Sequence, residues 1–281
     1  MHAELTPYRN LTNKSAVVFI HGNNDHRTDA LINYWDPAFL AKVTKNLPNK
    51  DHVLAVQCNF RQYMWHKDAA DCVAEQISNF IDKYQINDLM IITHSAGGVF
   101  IRWILSHPSY HVHYKKIIEN TRWVIAIAPS SLGTPVADYA LKGSYFEQTI
   151  GWLFGYKEMD SVDMQRMAAM KVYNGILLYG SEHRPSLPVP FYSIVGTDVA
   201  ASPFNSDNYC NGYKLNLQLK LVKKMFLGSC SDGLLNCDSQ SGAGERWFYD
   251  VDKTKGHKII NHSQSRNDCA GLAGILANEI Q

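Results

Sequence analysis

Residues 89–99 read Leu-Met-Ile-Ile-Thr-His-Ser-Ala-Gly-Gly-Val, and few folds accommodate such a run. The unbroken apolar stretch Leu89-Met90-Ile91-Ile92 suits a strand buried on both faces. A serine fills the turn that follows, and Val99-Phe100-Ile101-Arg102-Trp103-Ile104-Leu105 continues as a helix halted by Pro108. So abrupt a strand-to-helix turn holds the hydroxyl of Ser95 clear of the sheet and requires small residues two before and two after it, where strand and helix crowd together. Gly97 meets that requirement, and Thr93, where glycine is usual, meets it in part. The helix start also offers backbone N–H groups and a positive dipole end, both suited to holding negative charge.

Other segments extend the pattern. Ala16-Val17-Val18-Phe19-Ile20, His52-Val53-Leu54-Ala55-Val56, Trp123 to Ala128, Phe191-Tyr192-Ser193-Ile194-Val195 and Arg246 to Val251 read as strands. Between Asp68 and Tyr84, Ala69, Val73, Ile77, Phe80, Ile81 and Tyr84 recur at helical spacing. Cys269 to Ile280 reads as a closing helix. Strands alternating with helices predict an α/β fold, a mostly parallel sheet with helices on both faces. Residues 132–188 are too long for a simple connection. They carry Tyr145, Phe146, Ile150, Trp152, Leu153, Phe154, Met159, Met164, Met167 and Met170, and read as an inserted helical cap.

The bulk composition removes several classes. Lysine plus arginine (27) nearly balance aspartate plus glutamate (26), leaving +1, so the electrostatic footprint of a nucleic-acid partner is missing. With 46% hydrophobic and 19% charged residues the chain is globular. The longest apolar run, Trp123 to Pro129, is far short of an integral membrane segment. Met1-His2-Ala3-Glu4 does not resemble a secretory signal. Six cysteines without a C-x-x-C pair nevertheless favour disulfides, hence a secreted protein whose signal has been removed, with Cys210, Cys230 and Cys237 tethering one loop. The alternative is buried free thiols. Of the glycosylation patterns at Asn10, Asn13 and Asn261, the last adjoins a candidate active-site histidine, which favours bacterial export.

A serine hydroxyl becomes a nucleophile when a base takes its proton and a third group fixes the base's tautomer. His262 follows the last strand and precedes the closing helix, the late position expected of the base, with His257 as a near rival. Two acids compete. Asp198 lies directly at the end of a strand, and Asp232 lies in Ser229-Cys230-Ser231-Asp232-Gly233-Leu234-Leu235. The turn His21-Gly22-Asn23-Asn24 leaves the first strand at the same sheet edge as Ser95, which makes Asn23 N–H and Ala96 N–H the expected oxyanion pair. His94 reads as a packing or hydrogen-bonding residue. His107, His111 and His113 lack an adjoining acidic or thiol partner, and Pro108 breaks their helical spacing, so no metal is expected.

Five segments taken together carry a family resemblance: Ser-Ala-Val-Val-Phe-Ile-His-Gly (15–22), Thr-His-Ser-Ala-Gly-Gly (93–98), Ala-Pro-Ser-Ser-Leu-Gly-Thr-Pro-Val-Ala-Asp (128–138), Ser-Asp-Gly-Leu-Leu (231–235) and Asn-His-Ser (261–263). In this order the chain resembles a bacterial lipase of the α/β-hydrolase superfamily. Its His-Gly-Asn-Asn-Asp run (21–25) is also similar to extracellular polyhydroxyalkanoate depolymerases with a lipase-like core. The resemblance implies a single α/β-hydrolase domain over 1–281 with a lid at 132–188, and residues 199–230 depart from it as a loop insertion. It implies Ser95 as nucleophile, Asp232 as acid, His262 as base and Asn23 with Ala96 as oxyanion donors. The insertion before the acid keeps Asp198 as the alternative. Calcium-binding relatives carry aspartate two residues after the histidine, where this chain has Gln264, so neither calcium nor any cofactor is implied. The expected activity is that of a secreted serine carboxylic-ester hydrolase acting on a lipid or ester substrate, with a lipid–water interface as its setting. A polyhydroxyalkanoate depolymerase, phospholipase or acyltransferase with the same triad is the alternative, and a binding protein with an inert serine is the rival from another class.

Overall fold

The computed structural model describes residues 10–140, 159–202, 210 and 212–280 of the chain. One six-stranded sheet organises them: β1 (Ser15–Ile20), β2 (Val53–Ala55), β3 (Asp88–His94), β4 (Thr121–Ile127), β5 (Phe191–Val195) and β6 (Glu245–Tyr249) lie in the order β2-β1-β3-β4-β5-β6. Every neighbouring pair in this sheet is parallel. The strand order reverses beside β1, so the carboxyl ends of β1 and β3 flank the crevice where ligands of open α/β sheets bind.

Alternation along each strand sends side chains to two cores. Ala16, Val18, Ile20, Leu89, Ile91 and Val124 pack with the helices Cys72–Tyr84 and Gly97–Ser106. Val17, Phe19, Met90, Ile92 and Ile125 pack on the other face with Pro37–Val43 and Leu272–Glu279. Both faces are therefore covered, which is why these strands read as continuous apolar runs. No helix among the described residues is long and apolar enough to cross a membrane.

Some expected elements are shorter or divided. The last strand ends at Tyr249, and Asp250 opens a helical turn, Asp250–Lys253. The closing helix splits because Ala270 and Gly271 take left-handed backbone (φ 50° and 77°), separating the turn Cys269–Gly271 from Leu272–Glu279. Within 132–188, Pro135–Ala140, Asp160–Met164 and Met167–Ile176 are helical. Met164 and Met170 are fully buried in the core against Gly97–Ser106. Tyr145, Phe146, Ile150, Trp152, Leu153 and Phe154 lie outside the described residues. Residues 199–230 are more than a loop: Tyr213–Phe226 is a helix whose Leu219 and Val222 pack on Leu234 and Leu235.

The cysteines form the pairs 58–72, 210–269 and 230–237. Cys230 and Cys237 close one loop as expected. Cys210 does not join them, because the turn at Cys269 brings its sulfur against Cys210, with 5.7 Å between the Cα atoms. His107 packs on Trp103 and reaches the Trp103 carbonyl through Nδ1 at 2.9 Å, and His111 caps the helix Val112–Asn120. Asn261 is fully buried, its amide donating to Asn216 Oδ1 at 2.9 Å, so it presents no site for a glycan.

Candidate active site

Ser95 stands at the end of β3 with φ 56°, a left-handed conformation that is costly for a residue with a side chain. The turn is held by Ser95 N–H donating to the Ile127 carbonyl at 3.0 Å and Gly98 N–H donating to the Ser95 carbonyl at 3.1 Å. A Cβ at position 97 would lie 2.4 Å from the His21 carbonyl oxygen, so the close pass of β1 against the helix start demands glycine there. A Cβ at Gly98 would stand 3.5 Å from Thr93 Oγ1 and 2.9 Å from Pro129 Cβ. The close neighbour that favours glycine at 98 is therefore Pro129, and Thr93 stands at ordinary contact distance.

His262 arrives on the loop after β6. Its Nε2 lies 3.0 Å from Ser95 Oγ, and its Nδ1 lies 2.7 Å from Asp232 Oδ2. Asp232 is fully buried, and its other oxygen accepts from Leu234 N–H at 3.0 Å and Leu235 N–H at 2.8 Å. A second tie runs from His262 N–H to the Asp232 carbonyl at 2.9 Å. The carboxylate can only accept from Nδ1, so the proton sits there and Nε2 is left to accept from the serine hydroxyl. Asp198 goes elsewhere: it is half exposed and pairs with Lys223 Nζ at 2.7 Å. His257 is exposed and turned to the Val251 carbonyl at 2.8 Å. The structure thus brings Ser95, His262 and Asp232 together and leaves the two rivals outside.

Asn23 and Ala96 border the same spot. Among the described residues neither backbone N–H donates to a protein acceptor. The Asn23 side chain is fixed by Gln165, whose Nε2 donates to Asn23 Oδ1 at 3.0 Å and to the Ser161 carbonyl at 2.8 Å. Asn23, Ser95 and His262 open into a cavity of about 280 Å³, also lined by Tyr34, Leu219 and Arg266.

Tyr34 and Asp250 support the site without any sequence motif singling them out, and His94 is the hydrogen-bonding residue expected. His94 Nε2 lies 2.9 Å from the His262 carbonyl, which can only accept, so this nitrogen carries the proton and Nδ1 takes the hydroxyl hydrogen of Tyr34. Burial, reinforced by His262 and Arg266, holds His94 well below the ordinary histidine range, and it stays neutral. Burial pushes the Tyr34 phenol up to about 12, so it remains a donor. Asp250, fully buried, accepts from Ile260 N–H at 2.6 Å, Thr197 N–H at 3.0 Å and Thr197 Oγ1 at 2.7 Å, tying the His262 loop to the end of β5. Burial raises its carboxyl. His94 is flagged only by its place next to Ser95, and Asp250 only by following the last strand at the active edge.

Known structures share this arrangement of elements. The crystal structure of Bacillus licheniformis lipase BlEst2 in its mature form is similar to this chain with a TM-score of 0.68 and 14% identity, over 98% of this chain and 95% of that one. The chain has the α/β-hydrolase fold. The metagenomic carboxyl esterase MGS0156 (TM-score 0.60, 15% identity, 99% of this chain and 80% of that one) shares that fold. So does lipase 1 from Pelosinus fermentans (TM-score 0.53, 12% identity, 95% and 99%). No protein-family model matches the sequence, and no curated protein matches it. In the α/β-hydrolase fold of this chain, the serine turn, the acid loop and the histidine loop leave β3, β5–β6 and β6 at one edge of the sheet.

Proposed function

We propose that this protein is a secreted serine carboxylic-ester hydrolase of the lipase or esterase kind. The observation that carries the reading is the unbroken chain Asp232 Oδ2, His262 Nδ1, His262 Nε2, Ser95 Oγ, at 2.7 and 3.0 Å. Ser95 attacks the ester carbonyl while His262 takes its proton, and Asp232 stabilises the imidazolium. Asn23 and Ala96 N–H hold the oxyanion. His262 returns the proton to the departing alcohol, leaving an acyl group on Ser95. Water activated by the same histidine then attacks the acyl-enzyme and releases the acid.

Three disulfides support an oxidising, extracytoplasmic setting. The whole chain reads as one domain, with 132–188 as a lid whose Gln165 holds Asn23. The leucines of the cavity suit an acyl chain, and the work of such a lid belongs at a lipid–water interface. The test is labelling of the folded protein with a fluorophosphonate, together with release of butyrate from tributyrin and p-nitrophenyl butyrate by wild type and Ser95→Ala. Labelling and turnover that both vanish in Ser95→Ala support the proposal. A folded wild type that takes no label and cleaves neither ester would instead be a binding protein.

A further inference from the structure

We propose that Arg266 forms an anion subsite beside Ser95, so that the preferred ester carries a negatively charged group, a phosphate or a carboxylate, near its scissile carbonyl. This deepens the hydrolase reading above and rests on it. Arg266 lies four residues beyond His262, at the end of the turn Gln264–Arg266, and lines the same cavity as Ser95 and His262. Its guanidinium stacks over the Tyr34 ring at 4.6 Å, and Nη1 donates to the Tyr34 carbonyl at 3.0 Å and the Asn33 carbonyl at 3.5 Å.

Those partners fix the planar group without neutralising it. Arg27, Arg122 and Arg166 each pair with an aspartate; among the described residues no carboxylate pairs with Arg102, Arg184, Arg246 or Arg266, and of these Arg266 lines the cavity of Ser95. A guanidinium has five N–H donors, and among the described residues only those on Nη1 are engaged here. An anionic ligand meets there a donor fork already oriented by the Tyr34 and Asn33 carbonyls. The cavity lining combines apolar and polar groups. Leu215, Leu219 and Leu234, from the helix Tyr213–Phe226 and the acid loop, are apolar; Asn33 and Arg266, from the segments after β1 and after His262, are polar. An acyl chain suits the first group and a charged alcohol portion suits the second.

The experiment uses matched esters, below their aggregation threshold, that differ in charge: 3-butyryloxybutyrate against its methyl ester, and 1,2-dibutyrylglycerol 3-phosphate against 1,2-dibutyrylglycerol. Wild type is expected to favour the charged member of at least one pair in kcat/KM by about tenfold to a hundredfold, the range of a charge-assisted hydrogen bond. Arg266→Gln loses that factor on the charged ester and stays within about threefold on the neutral one, and Arg266→Lys keeps part of it. The pair that responds tells a carboxylate from a phosphate. No preference in wild type, an equal loss on both members in Arg266→Gln, or identical behaviour of the lysine and glutamine variants would overturn the proposal. Calorimetry with 3-hydroxybutyrate and glycerol 3-phosphate on Ser95→Ala gives a readout independent of turnover. Binding of either anion that disappears in Ser95→Ala/Arg266→Gln supports the subsite, and no binding of either refutes it. Failure of wild type to cleave all four esters would strike the hydrolase reading, and the calorimetric result would still decide Arg266.

Discussion

Asp232→Asn changes one atom and is expected to cost most of the activity, for a reason visible in the hydrogen bonds. One carboxylate oxygen accepts from Leu234 and Leu235 N–H, and the other faces His262 Nδ1. An asparagine can place its carbonyl on the two backbone donors only by turning its NH₂ toward His262. Nδ1 must then accept, the ring proton moves to Nε2, and Nε2 can no longer take the hydroxyl proton of Ser95 at 3.0 Å. The alternative flip sets an NH₂ against two N–H donors in a fully buried site. A wrong tautomer lowers kcat by roughly 10³–10⁴, or about 4–5.5 kcal/mol of barrier, with KM little changed because Asp232 touches no substrate. Asp198, tied to Lys223 and half exposed, is expected to stay within about twofold of wild type as asparagine, as surface substitutions usually do. The assay is kcat and KM for p-nitrophenyl butyrate, with thermal melts to show that both variants are folded. An Asp232→Asn enzyme within tenfold of wild type, or an equal loss in Asp198→Asn, would refute the reasoning.

Other outcomes follow from the same contacts. Burial, helped by His26, drives His21 down to about 3 from its ordinary 6.5, so the unfolded chain binds a proton there that the folded one refuses. Stability contributed by neutral His21 is therefore lost as pH falls from 6.5 toward 3. The loss is on the order of 3 kcal/mol at pH 4.5, and His94 acts in the same direction. The raised carboxyl of Asp250 opposes this, because the folded chain gains stability there as pH falls toward the ordinary 3.8. Urea midpoints should drop between pH 7 and 4.5, less so in His21→Asn; equal midpoints would contradict the account. Gly97→Ala, whose Cβ would meet the His21 carbonyl at 2.4 Å, should cost about 3 kcal/mol and most of the turnover, read by melting and ester hydrolysis. Cys210→Ser/Cys269→Ser opens a loop spanning 59 positions and should lower the unfolding free energy by up to about 4 kcal/mol, measured in urea.

Much of this arrangement was legible in the sequence, and the reason differs from element to element. β1, β3 and β4 are buried on both faces and carry the continuous apolar runs 16–20, 89–92 and 123–127. Ser95 and His262 could be found because turn chemistry and chain order are local. The helix Tyr213–Phe226 was hidden because Leu215, Leu217, Leu219 and Leu221 alternate with polar residues, a strand-like period. Packing against Leu234 and Leu235 overrides that pattern, burying Leu219 and leaving Leu217 and Leu221 exposed. The resemblance names Asp232 and leaves Asp198 as the alternative, and the pairing of Asp198 with Lys223, which no sequence pattern announces, is what carries that alternative elsewhere. The tie from Tyr34 through His94 to the His262 loop joins residues brought near only by the closed fold, and no spacing announces it.

The central claim is that Ser95 carries the acyl group. Rapid acid quench of the protein with p-nitrophenyl butyrate, followed by peptide mass mapping, tests it most directly. One butyryl adduct, on Ser95, is expected to accumulate before steady state and to be missing from Ser95→Ala. Steady turnover with no adduct at Ser95, or with the adduct on another residue, would contradict it.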